Sequence, residues 1–209
     1  MAVIQPSLEE RLRKGYEFQD YVKWLLSKSG YLEGQIYSTG SSLRVDYGKR
    51  LAKLKKQAYT SPDVLIANKW MNSSPEVEYR FGISCSRRDS LFQVDNDLYA
   101  TLPYYQRKNL VEMSQAKKLH VYLAFGTLRR RKWFVGITKL RDPERSYVPL
   151  VDQSTGKERY NDLYSVKRLQ RWRQFLAHRR QVGDQEPDFR FLKTLRFGWI
   201  GSVKERQPA

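Results

Sequence analysis

Ser61-Pro62-Asp63-Val64-Leu65-Ile66 and, after a proline-containing gap, Phe81-Gly82-Ile83-Ser84-Cys85-Ser86-Arg87-Arg88 decide the fold of this chain. From Phe81 the residues alternate. Phe81, Ile83 and Cys85 share one face and Gly82, Ser84 and Ser86 the other, which is the pattern of a half-buried strand. Upstream, Pro62 biases Ser61 toward extended backbone, and Asp63 leads straight into the apolar run Val64-Leu65-Ile66-Ala67. The carboxylate of Asp63 is therefore expected at the start of a second strand, with the two serines side by side on its neighbour.

An Asp on one strand and positions i and i+2 on the next is the arrangement that a magnesium-dependent phosphodiesterase fills with Asp, Asp or Glu, and Lys. On these residues the chain resembles the PD-(D/E)xK superfamily, the restriction-endonuclease-like nucleases, over roughly Leu12 to Leu140. The resemblance places Pro62-Asp63 on the first half of that motif and Ser84 and Ser86 where many members carry Glu and Lys. Tyr104-Tyr105-Gln106-Arg107-Lys108 opens a predicted helix leading to the strand His120-Val121-Tyr122-Leu123-Ala124-Phe125. Gln106 would be the counterpart of the glutamine that members carry on such a helix.

The N-terminal segment agrees. A capping signal, Ser7-x-x-Glu10 after Pro6, opens a predicted helix running to about Ser29-Gly30. Leu8, Leu12, Tyr16, Gln19, Val22 and Leu26 recur on one face, with Gln19 the polar exception. Family members often have Gly-x-x-Phe-Glu here, the Glu reaching the metal; Gly15-Tyr16-Glu17-Phe18-Gln19 puts an amide in its place. Glu17 lies about 200° around the helix axis from that position and cannot simply replace it.

The resemblance thus implies Asp63 as a remnant, with Gln19, Ser84, Ser86 and Gln106 as pocket positions, of which Gln19, Ser84 and Ser86 have lost the family's charge. Phosphodiester hydrolysis of the usual kind needs carboxylates to hold Mg²⁺ and a lysine to orient the nucleophile. No cofactor is therefore expected. In a rival reading the site is rearranged: Glu78 or Glu17 joins Asp63 to bind Mg²⁺, and Arg80 or Arg87 replaces the lysine. The plainer alternative takes Asp63 as a loop-to-strand residue in an unrelated basic α+β domain.

Charge speaks independently of motif. The chain holds 39 Lys plus Arg against 22 Asp plus Glu, a net charge of +17, the footprint of a nucleic-acid binder and hard to explain by solubility alone; a basic enzyme for acidic substrates or an anionic-membrane binder is the alternative. The candidate nucleic-acid-binding residues are Lys55 and Lys56 within the run Lys49 to Lys56, Arg87 and Arg88, Arg129, Arg130, Arg131 and Lys132, and Lys167, Arg168, Arg171, Arg173, Arg179 and Arg180. The third group sits between two predicted strands and reads as a hairpin tip. Four adjacent cations there repel one another unless a polyanion is their neighbour.

At 209 residues the chain fits one globular domain with an appendage. The expected fold is α/β, with a central mixed sheet of restriction-endonuclease type flanked by helices. Its strands are expected near Ile36-Thr39, Val64-Ala67, Tyr79-Ser86, Val121-Phe125 and Trp133-Thr138. The division is residues 1–140 for this domain and 141–209 for a basic C-terminal extension with a helix near 165–181, followed by short packed segments around Phe189 and Trp199. A single cysteine, Cys85, excludes an intrachain disulfide and reads as core, and two histidines leave no zinc pattern. Ser38-Thr39-Gly40-Ser41-Ser42 lacks the lysine of a phosphate-binding loop. No stretch resembles a signal peptide or membrane span, so an intracellular setting is expected, cytoplasmic and nucleoid-associated, or nuclear in a eukaryote.

The favoured function is a DNA-binding, nuclease-like protein impaired in hydrolysis, serving as a positioning or assembly subunit of a transposition, recombination or defence complex, with protein partners or a second copy of itself. The rivals are an active Mg²⁺-dependent DNA endonuclease and an RNA-binding ribonucleoprotein component, for which a shallow basic face without a cleft would speak.

Overall fold

The computed structural model describes residues 8–39, 62–67, 79–88, 91–140, 143–151, 156 and 158–181. Its centre is β3 (Tyr79–Arg87). This strand pairs antiparallel with β2 (Val64–Ala67), Val64 opposite Ile83, and parallel with β6 (His120–Arg129), Ser84 opposite Leu123. β1 (Ile36–Ser38) and β7 (Lys132–Lys139) complete a five-stranded mixed sheet in the order β1-β2-β3-β6-β7. The parallel step from β3 to β6 needs a crossover. It is made by β4 (Phe92–Val94), β5 (Asp97–Pro103) and helix α2 (Tyr104–Ala116).

Period-two alternation sorts the core onto both faces of this sheet. On one face Phe81 and Ile83 of β3, Tyr122 and Ala124 of β6, and Val135 and Ile137 of β7 pack with Phe18, Val22, Leu25 and Leu26 of α1 (Leu8–Lys28). On the other, Leu123 and Phe125 of β6 pack with Leu110 of α2. Being buried on both faces, β6 reads in sequence as a continuous apolar run rather than an alternating one. The architecture is the α/β arrangement expected, a central mixed sheet flanked by helices.

A second, four-stranded antiparallel sheet, which begins with β4 and β5, was not anticipated. It uses β8 (Arg145–Val151) and β9 (Glu158–Ser165), from the stretch read as the start of an extension. Hydrogen-bonded pairing crosses the expected boundary at residue 140, because β9 pairs along β5 from Tyr99↔Ser165 to Pro103↔Asn161. The helix expected near 165–181 also needs correcting. Ser165 ends β9, Val166–Arg168 form a 3₁₀ turn, and α3 spans Trp172–Gln181. Between them Gln170 bridges Ile137 at the β7 edge, with paired backbone hydrogen bonds of 2.8 and 2.9 Å. There the chain passes from one side of the main sheet to the other. Leu169 packs with the α2-side cluster, whereas Trp172, Phe175 and Leu176 pack with α1. The segments around Phe189 and Trp199 lie outside the described residues, as do Lys49 to Lys56.

Candidate functional site

Asp63 is held where β2 begins, and local packing explains how. Gly82 on β3 leaves room for the ring of Pro62; a Cβ built on it would meet Pro62 Cγ at 2.6 Å. The missing side chain lets the Pro62-Asp63 step lie directly on β3. The backbone carbonyl of Asp63 accepts the N–H of Thr39 at 3.0 Å and the amide Nε2 of Gln19 at 3.0 Å. Gln19 is 4 % exposed, and its Nε2 also donates to Ser38 Oγ at 2.5 Å. The polar exception in the apolar stripe of α1 is thus a clamp tying α1, β1 and the start of β2 together.

The carboxylate faces β3. Its Oδ2 accepts the backbone N–H of Cys85 at 2.6 Å and the hydroxyl of Ser84 at 3.2 Å. Ser84 is 2 % exposed and also receives Nε2 of Gln106, from the first turn of α2, at 3.5 Å. Burial pushes the carboxyl of Asp63 up to about 6, against the opposing pull of the Cys85 N–H and the Ser84 hydroxyl. Burial, then the charge of Asp63, drives the Cys85 thiol well above its ordinary range, so it is no nucleophile near neutral pH. Gln19, Asp63, Ser84 and Gln106 therefore form one connected group. Ser86 is half-buried, one pleat further along the Ser84 face.

Glu17 points elsewhere. Its Oε1 pairs with Arg13 and its Oε2 with Arg87, each at 2.8 Å, and the Arg87 guanidinium lies 5.3 Å from the Trp133 ring centroid. Two of the four side chains named for a rearranged site, Glu17 and Arg87, are thereby engaged with each other. Glu78 lies outside the described residues. The donors around Asp63 do not suit Mg²⁺, which the family resemblance implies. The ion takes oxygen ligands, usually with more than one carboxylate, whereas Gln19 and Gln106 turn N–H donors inward and one Asp63 oxygen is already doubly engaged. Among the described residues no group of three His, Cys, Asp or Glu side chains is placed to hold a metal ion.

The basic residues divide by role. Arg129, Arg130, Arg131 and Lys132 are exposed at the β6–β7 tip, where Arg129 pairs with Lys132 across a two-residue loop. Arg171 and Arg173 are exposed, as are Lys167 and Arg168, which pair with Asp97 and Glu144. Arg179 corrects the sequence reading. It is 5 % exposed, its guanidinium 4.3 Å from the Phe81 ring centroid and bonded to the Tyr122 hydroxyl at 3.2 Å, so it packs within the core rather than standing on the surface. Arg88 donates to the Thr101 carbonyl at 2.7 and 2.9 Å, fastening β3 to β5. Lys55 and Lys56 fall outside the described residues, and so does the side chain of Arg180.

Sequence reasoning missed Asp162. It is fully buried on β9, accepting Arg107 Nε at 2.6 Å, the Ser146 hydroxyl at 2.7 Å and the Tyr147 N–H at 3.0 Å. Nothing in one sequence marks a carboxylate whose three donors come from two other elements.

No family model and no curated protein matches the chain. Among solved structures it is similar to the Holliday junction resolvase Hjc of Archaeoglobus fulgidus, an archaeal hyperthermophile. The identity is 14 % and the TM-score 0.39, over 71 % of this chain and 82 % of that one.

Proposed function

We propose that this protein is a DNA-binding, nuclease-like subunit whose own hydrolytic chemistry is impaired and which positions DNA within a larger DNA-processing assembly. The observation that carries this reading is the Asp63 pocket. The carboxylate sits at a strand start beside two strand positions and a helix glutamine, in the layout of a phosphodiesterase, yet its surroundings are hydroxyls and amides. Such a pocket can accept and donate hydrogen bonds, and among the described residues no group of three His, Cys, Asp or Glu side chains is placed there to hold a cation. The net charge of +17 and the exposed cations of the β6–β7 tip support DNA as the partner.

Two measurements on the full chain test the proposal. Affinity for duplex DNA should fall steeply with salt, the logarithmic slope approaching roughly −0.9 per phosphate neutralised. Incubation with Mg²⁺ or Mn²⁺ should give no cleavage above background. Metal-dependent cleavage that disappears in Asp63→Ala would replace this reading with that of an active endonuclease, and salt-insensitive or absent binding would remove DNA as the partner.

A further inference from the structure

The second sheet carries an exposed group of tyrosines joined to the Asp63 pocket by one helical turn. Tyr147 emerges at the irregularity of β8 between Arg145 and Val148, with φ of 56°. Its ring stacks on Tyr160 of β9 with centroids 4.0 Å apart and planes at 11°, and meets Tyr104 of α2 edge to face at 4.9 Å. Tyr147 and Tyr160 nevertheless remain 53 % and 40 % exposed. A left-handed backbone is unfavourable for tyrosine and persists only where the surroundings enforce it. Here the enforcement is the buried Asp162 carboxylate, which receives the Tyr147 N–H and, from α2, Arg107. Arg107 in turn lies 5.7 Å from the Tyr104 ring centroid. The residue between Tyr105 and Arg107 is Gln106, which reaches Ser84.

We propose that Tyr147 and Tyr160, steadied by Tyr104, form a base-stacking platform for unpaired nucleotides of DNA beside the Asp63 pocket. The inference rests on the DNA-binding reading above and specifies the form of DNA that this face takes. The chemistry favours a base over a protein side chain. The platform consists of flat rings with hydroxyl rims, held in fixed orientation, with the exposed Lys108 in the adjoining turn of α2 to meet a phosphate. Aromatic stacking accepts any base, and it pairs naturally with the sequence-independent affinity of a chain charged +17.

The test compares the full-length wild type with Tyr147→Leu/Tyr160→Leu. Two probes are used: a blunt duplex, and the same duplex carrying a single-stranded overhang with 2-aminopurine at the junction. Wild type should bind the overhang probe roughly tenfold more tightly than the blunt one and quench the 2-aminopurine by stacking. The variant should lose that preference and the quenching, while keeping its blunt-duplex affinity and its melting temperature. Equal wild-type binding to the two probes, or a preference that survives in the variant, would overturn the platform while leaving DNA binding in place. Failure of wild type to bind either probe would overturn the DNA-binding reading and the platform with it.

Discussion

Asp63 is held at a cost, and its sign follows from the shift. Its value in the folded protein, about 6, lies above the ordinary 3.8, so the folded chain holds the proton more tightly than the unfolded one. The favourable contribution is therefore whole below about pH 4 and is lost as the pH rises through about 6. Two units correspond to about 3 kcal/mol. Asn at this position keeps an oxygen for the Cys85 N–H and carries no charge. We expect Asp63→Asn to match wild type near pH 4 and to exceed it at pH 8 by about 2 kcal/mol in urea unfolding. Parallel stability profiles for the two proteins across that range would mean that the carboxylate is not desolvated. A side chain that destabilises the fold at neutral pH is one that packing alone does not explain.

At the scale of elements, the β6–β7 hairpin sets its loop residues against backbone preference. Arg130 and Arg131 occupy its two-residue loop with φ of 44° and 63°, the geometry that Asn-Gly fills at least strain. Replacing them by Asn and Gly should raise stability by about 1 kcal/mol and, with two cations gone, weaken duplex binding and lower its salt slope by up to about 2. An unchanged slope would show that the tip does not touch phosphate. The strands of the main sheet were legible because burial imposes period two on β3 and a continuous apolar run on β6. β8 was not, since it is mostly exposed and contains Pro149, as edge strands do. A signal for the β4–β5 hairpin was present in Asp95-Asn96, a two-residue loop with Asp95 at φ 54°. The expected helix start near 165 differs for another reason. Leu169 falls at helical spacing from Trp172 and Leu176, yet serves the opposite face of the sheet, because the chain crosses the β7 edge at Gln170. Around the pocket, the face on which Ser84 lies could be read from alternation. The partners of Arg87, Arg179 and Asp162 could not, because each comes from an element distant in sequence.

At the scale of the whole molecule, the position of the tyrosine platform depends on residues past 140, and so does the core. Trp172, Phe175 and Leu176 share one cluster with Phe18, Phe81 and Tyr122, and β9 lies between β5 and β8 in the second sheet. A chain ending at Leu140 would uncover the α3 contacts on one side of the main sheet and strip β5 of one of its two partner strands on the other. Losing several fully buried aromatic side chains at about 3–5 kcal/mol each exceeds the whole stability of an ordinary domain. We therefore expect the 1–140 fragment to lack a cooperative thermal transition and the near-ultraviolet dichroism of fixed aromatic rings, whereas a chain ending at Gln181 should retain both if the described residues suffice for folding. Cooperative unfolding of the 1–140 fragment with native-like aromatic dichroism would show that the segment from Arg145 to Gln181 is an appendage after all. In that event the tyrosine platform would be an addition to a self-sufficient fold rather than a part of its framework.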